Sequence, residues 1–326
     1  MSSSSGWQRV LPTSPAPVPY FWRCPLWVGL QACRRLTKRT LSRMPWTSRL
    51  VSCLQQRQWG PGTVLYSGEV FGRYWPRFVA TGLPAPESIV CEVGPGPSLD
   101  VSLMFALAGV REAVAVDYAP WASREASLAR AGELAEVMLA QGGWSDEEQA
   151  AIRRRAAQGG LPLRYEQHPL EDLQLPAGSV DFLFSHAVLE HISDPAAAFA
   201  SIARVLSPRG VAIHHIDLKD HGFLRNRNPV LMLQFPRWLW DCCTRGVPGS
   251  ISRRRLSAYL QAATQAGLEV HVLQRHMLPQ CPVPSGQLAV EFRGLSAEDL
   301  CTLDAEVLCC HASPIAAVEI RRHVAL

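Results

Sequence analysis

A chain of 326 residues with 48% apolar and 18% charged residues can bury a sizeable core in one large domain or two modest ones. Its net charge of +4 is unevenly placed: nine Lys and Arg but no acid precede Glu69, which leaves 23 basic against 28 acidic residues in the remainder. A mildly acidic body argues against a nucleic-acid backbone as main partner, and no apolar run reaches the length of a membrane span.

Residues 1–66 read as a basic arm. Ser2 to Ser5 and Pro12 to Pro19 lack the composition of a packed segment, while Arg34, Arg35, Lys38, Arg39 and Arg43 alternate with Leu30, Leu36 and Leu41. Such interleaving suits a peripheral contact with an anionic membrane, a targeting segment, or a solvated arm near the cleft. Residues 67–326 then form the main domain. Ile89-Val90-Cys91 reads as a buried strand, followed by the turn Gly94-Pro95-Gly96, a helix from Leu99 to Ala108, and a strand from Ala113 to Val116 ending in Asp117. A helix over Ser123 to Leu139 follows. Another starts at Ser145, where Ser145-Asp146-Glu147-Glu148 has the form of a capping box, and runs to Ala157. Strands are expected at Leu163–Glu166, Val180–Phe184, Val211–Ile216 and Leu268–Leu273, with a last antiparallel one at Glu306–Cys310. A helix begins after Asp194-Pro195, and a lid near 218–250, rich in Arg and Trp, precedes a helix over Ser252 to Ala266. The pattern is an α/β fold with a doubly wound, mostly parallel seven-stranded sheet. The ten cysteines, some adjacent as in Cys242-Cys243 and Cys309-Cys310, show no zinc-site spacing. Reduced thiols, no metal and a cytoplasmic setting are the expectation.

Strand, glycine turn, helix, strand and acid make a nucleotide-binding unit. Glycine lets the backbone approach a ligand closely, and an acid ending the second strand accepts from a ribose diol. A dinucleotide site wants a third glycine, where this chain has Leu99, and it carries an additional acid, Glu92. A ligand with a ribose, no pyrophosphate and a cationic group fits better, which favours S-adenosylmethionine over NAD.

The order Glu92-x-Gly94-x-Gly96-x-Ser98, Asp117, then Val180-Asp181-Phe182-Leu183-Phe184-Ser185-His186-Ala187-Val188-Leu189-Glu190-His191 with Asp194-Pro195, then Arg204-Val205-Leu206-Ser207-Pro208-Arg209-Gly210 resembles the class I S-adenosylmethionine-dependent methyltransferases. Ser98 and Arg209 replace glycines of the family pattern. The resemblance implies S-adenosylmethionine as cofactor, held by Glu92, Gly94, Gly96, Asp117, Tyr118, Leu170, Glu171, Ser185 and His186, with Tyr74 from a preceding helix closing over its methionine end.

Methyl transfer from a sulfonium needs alignment, exclusion of water, and a base if the acceptor is a hydroxyl. His191 resembles a position facing the acceptor in small-molecule O-methyltransferases. His215 and Asp217 alternate onto one face of their strand and form a second candidate base. The lid residues Arg225, Arg227, Arg237, Trp238 and Trp240 suit a small-molecule, lipid-linked or glycan-linked acceptor. The alternatives are an NAD-dependent reductase and a non-catalytic cofactor-binding protein at a membrane surface.

Overall fold

The structure is a computed structural model that describes residues 33, 36, 37, 40, 63–221, 228–245, 247 and 249–312. Most of the basic arm, and Phe223, Arg225 and Arg227 of the lid, lie outside the described residues.

Seven strands form one sheet in the order β3-β2-β1-β4-β5-β7-β6. Strands β1 (Ile89–Val93), β2 (Glu112–Asp117), β3 (Leu163–Gln167), β4 (Val180–His186) and β5 (Leu206–Asp217) run parallel. At the far edge, β6 (Glu269–Met277) pairs antiparallel with β7 (Thr302–Cys310), which is itself antiparallel to β5. Central strands such as Ile89–Val93 are near-continuous apolar runs because both of their faces are covered. On one face lie α1 (Val64–Ala80), α2 (Asp100–Ala108), α4 (Ala131–Ala140) and α5 (Asp146–Gln158), around a core that includes Phe71, Phe78, Phe105 and Phe182. On the other lie α6 (Pro195–Val205) and α8 (Leu256–Gln265), around Leu183, Phe199, Ile202 and Tyr259.

Local chemistry sets the element ends. Ser145 and Glu148 complete the capping box of α5, and Asp194 accepts from the amides of Ala196 and Ala197 to start α6 at Pro195. The helix expected over Ser123 to Leu139 is two helices, α3 (Arg124–Leu128) and α4, broken at Arg130. The break lets Arg130 pair with Asp100 at 2.6 Å. Strand β5 begins earlier than expected, at Leu206, so the Pro208-Arg209-Gly210 turn lies within the strand, where the β4–β5 register shifts between Leu206 and Val211. A Cβ at Gly210 would lie 2.6 Å from the Val180 carbonyl, which explains a glycine there.

The lid carries its own core. Met232, Phe235 and Trp240, the last on α7 (Arg237–Thr244), pack with Val283, Leu288, Phe292 and Leu300, the last on α9 (Ala297–Cys301). The covering layer therefore draws on residues near 281–303 as well as on 218–250. One buried and one partly buried cation tie the layers together. Arg255, 2% exposed, donates to the carbonyls of Leu218, Asp299 and Thr302. Arg77 of α1 pairs with Glu306 of β7, whose side chain is fully buried.

Candidate active site

The glycine turn leaves β1 with Gly94 and Gly96 at φ +71° and +68°, a region that L side chains rarely adopt. Gly94 donates its amide to the Val116 carbonyl at 2.8 Å, and a Cβ on it would meet Val188 Cγ2 at 2.4 Å. Around a Cβ placed on Gly96 there is nothing within 4 Å among the described residues. The two glycines thus do different jobs: Gly94 packs under Val188, whereas Gly96 borders open space. Asp117, at the adjacent end of β2, accepts from the Gly96 amide at 3.1 Å. Burial raises its carboxyl to about 6, against the lowering pull of the Gly96, Ala119 and Tyr118 amides. Next to it Tyr118 is 62% exposed and edge-on to Trp121. Leu170 is buried in the 3-10 turn after β3.

The other acids of the cofactor half are engaged by protein donors. Glu92 is 7% exposed and accepts from the amide and hydroxyl of Ser102 in α2, while burial lifts it to about 7. Glu171 accepts from Ser193 and the Asp194 amide, fastening the segment that leads into α6 and not an open rim. Tyr74 does not stand over a cleft. It is fully buried against Phe184, and its hydroxyl donates to the Ser185 carbonyl at 2.8 Å. The exposed aromatic of α1 at the strand ends is Tyr66, half exposed and edge-on to His186; burial, then Glu92 among the charges, raises its hydroxyl. Tyr66 begins the aromatic stretch in the sequence, but nothing local distinguishes it from Tyr74; helical phase decides which one is core.

The ends of β4, β5 and β7 collect histidines. Ala187 leaves β4 at φ +56°, with its amide on the His215 carbonyl at 2.9 Å, so the turn after β4 is pinned to β5. His186 stacks on His215 with centroids 4.6 Å apart. Its Nδ1 is 3.3 Å from the Tyr74 oxygen. Because the Tyr74 proton is committed to Ser185, that oxygen accepts, which makes His186 the Nδ1–H tautomer. Burial pushes its pKa down to about 3. Ser185 is fully buried, its hydroxyl 2.8 Å from His214 Nδ1. His191 is likewise neutral: burial, aided by His221, lowers it to about 4. Its Nδ1 faces the Ser250 carbonyl at 3.2 Å, and its Nε2 lies 3.9 Å from the buried Glu190.

The expected His215–Asp217 pair does not form. Asp217 pairs with Lys219 at 2.9 Å and His221 at 3.4 Å; burial alone would raise it, but these partners hold it at about 2. His215 directs Nε2 at Asp304 of β7, 3.5 Å away. Asp304 also meets His276 at 2.5 Å and Lys219 at 3.1 Å, and these contacts overcome burial to keep it ionised. The antiparallel register places Asp304 opposite Asp217. No pattern around Asp304 marks it in the sequence. His215 Nδ1 is buried and has no hydrogen-bond partner among the described residues.

Among the expected lid contacts, Trp240 is core, whereas Arg237 and Trp238 line a groove of about 700 Å³ with Gln234, Asp241, Val290 and Arg293. None of the groove's lining residues belongs to the strand ends. Among the described residues no helix is long and apolar enough to cross a membrane.

Residues 91–214 match the methyltransferase domain family. Among solved structures, the chain is similar to the YcgJ protein of Bacillus subtilis (16% identity, 72% of this chain and 99% of that one, TM-score 0.40). It is also similar to an S-adenosylmethionine-dependent methyltransferase of Mesorhizobium loti (19% identity, 72% and 97%, TM-score 0.38). A third is the phosphoethanolamine N-methyltransferase 2 of Haemonchus contortus (13% identity, 79% and 59%, TM-score 0.43). No curated protein matches the chain. The donor set fits S-adenosylmethionine: open space beside Gly96, a carboxylate at the end of β2, and no third glycine for a pyrophosphate. The family match, the strand order and this cradle agree: residues 91–214 belong to the methyltransferase domain family, and the chain is an S-adenosylmethionine-dependent methyltransferase with S-adenosylmethionine as its cofactor.

Proposed function

We propose that the enzyme methylates a hydroxyl of a small-molecule or biosynthetic-intermediate acceptor, with His215 as base and Asp304 as its orienting partner. The observation that carries this reading is the bare, buried Nδ1 of His215, whose Nε2 is directed at a carboxylate. A carboxylate only accepts, so Nε2 carries the proton and Nδ1 offers a lone pair; a hydroxyl donor satisfies it. Bound S-adenosylmethionine supplies a methyl group on a sulfonium that leaves as a neutral thioether, so no acid is needed at the leaving group. Asp304 stays ionised and steadies the imidazolium that forms. In the cofactor half, Gly94, Gly96, Asp117, Tyr118 and Leu170 hold the ligand, while Glu92, Tyr74 and Ser185 brace them from within and Glu171 fastens the segment leading into α6.

A second reading places the base at His191, favoured by its greater exposure, 26% of the side chain against 13% for His215. Residues 67–326 act as the catalytic domain with the 218–250 segment as part of its lid, and the arm over 1–66 serves as an accessory.

The test is transfer from methyl-labelled S-adenosylmethionine to fractionated hydroxylated and amino-bearing small molecules, with His215→Asn and His191→Asn compared. Loss of at least about a hundredfold in kcat in His215→Asn, with S-adenosylmethionine affinity retained, is expected of a lost general base. Product methylated only at nitrogen, or full activity in His215→Asn, overturns the reading.

A further inference from the structure

The far edge of the sheet holds a second cluster of ligand-type side chains, unconnected with methyl transfer. Glu269 and His271 are two residues apart on β6 and therefore share a face, and Glu269 pairs directly with Cys310 across the ladder to β7. One donor atom from each, a carboxylate oxygen, an imidazole nitrogen and a thiol sulfur, lies within 4.8 Å of the other two. His271 Nε2 is 3.9 Å from Glu269 Oε2. The cluster sits at the opposite end of β7 from Asp304, six residues along an extended strand, or roughly 20 Å.

We propose that Glu269, His271 and Cys310 form a Zn²⁺ site that clasps β6 to β7. The chemistry of the donors selects the metal: one thiolate, one imidazole and one carboxylate suit a borderline-soft ion that takes four ligands tetrahedrally. Bond lengths of about 2.3 Å to sulfur and about 2.0–2.2 Å to nitrogen and oxygen put neighbouring ligands roughly 3.4–3.7 Å apart. The observed spacing needs only small side-chain movements to reach that. Cys310 is buried, His271 partly so and Glu269 exposed, so the ion approaches from the Glu269 side and keeps a water at its fourth corner. Binding converts the Cys310 thiol to a thiolate and releases one proton to solvent. The edge strand β6, which among the described residues has a partner on one side only, gains a cross-link to its neighbour. Spacing rules cannot see this site, because 39 residues separate His271 from Cys310.

The experiment is a Co²⁺ titration of the full reduced chain, free of any histidine tag, followed optically, with Zn²⁺ added afterwards. One equivalent should give a thiolate-to-cobalt charge-transfer band that Zn²⁺ abolishes, and Zn²⁺ should raise the melting temperature. In the near-isosteric Cys310→Ser the band should vanish, and in His271→Gln and Glu269→Gln affinity should fall at least about tenfold. S-adenosylmethionine affinity measured in parallel confirms that each variant is folded, and it stands whether or not the metal site does. Absence of the band in the wild-type chain, or a band that persists in folded Cys310→Ser, overturns the site.

Discussion

Three alanine substitutions separate backbone strain from ligand space. Gly94, Gly96 and Gly267 all have positive φ, at +71°, +68° and +81°. Alanine at each costs about 1–2 kcal/mol for the left-handed conformation alone. At Gly267, which ends α8, a Cβ meets nothing within 4 Å among the described residues, so strain is the whole effect. At Gly94 the Cβ would lie 2.4 Å from one Val188 methyl and 3.0 Å from the other, which adds an overpacking cost of about 1–3 kcal/mol. Gly96→Ala should match Gly267→Ala in stability, because neither Cβ touches a described residue, yet it alone of these two should lose cofactor affinity. Its Cβ enters the space beside Asp117, where the ribose is expected. Urea denaturation gives the stabilities and calorimetric titration with S-adenosylmethionine gives the affinities. A Val188→Ala change should recover the overpacking part of the Gly94→Ala loss but not its strain. If Gly96→Ala binds S-adenosylmethionine as tightly as Gly267→Ala does, the cradle has been misplaced.

The fully buried Glu306 carboxylate of β7 takes both Arg77 and Arg73 of α1 as partners, so the double change Arg73→Met with Arg77→Met should cost about 3–5 kcal/mol by stranding it, Arg77→Met alone should cost less, and adding Glu306→Gln to the double variant should return most of the loss; equilibrium unfolding measures all three. Cofactor binding needs the ionised Asp117, raised by burial to about 6, so affinity should be level above that pH and fall roughly tenfold per unit below it, a decline absent from the calorimetry of Asp117→Asn. His186, His191 and His214 are held neutral by burial at about 3, 4 and 3. Their folded pKa values lie below the unfolded value near 6.5, so the stability they contribute is present above about pH 6.5 and is lost as pH falls toward 4 and 3. Acid unfolding monitored by circular dichroism should therefore begin near pH 6, and His214→Phe, which removes a fully buried imidazole, should move the transition to lower pH. An unmoved transition would remove His214 from that account.

Much of the fold is legible locally because each signal is short-range. Ile89 to Val93 must be buried on both faces, Ser145 and Glu148 satisfy each other's backbone donors, and Pro195 after Asp194 can only open a helix. The cofactor half is equally local: β1, its glycine turn and Asp117 lie within 29 residues, so residue types and spacing specify their meeting. Where the reading slipped, the cause was helical phase or competition. Tyr74 and Tyr66 differ by eight residues on one helix and both meet His186, yet one is fully buried and the other half exposed. His215 and Asp217 do share a strand face, but Lys219 and His221 claim Asp217 first.

By itself the sequence determined the parallel α/β sheet, the methyltransferase family and the glycine–aspartate cradle. These follow from apolar periodicity and backbone conformational limits that operate over a few residues. Only the tertiary structure decided the acceptor side. His215 meets Asp304 because β7 runs back antiparallel beside β5, and Glu269 and His271 meet Cys310 because β6 then pairs with β7. Those partners are 89 and about 40 residues apart, and the register of a sheet is set by the packing of its whole core, which no local run of residues records.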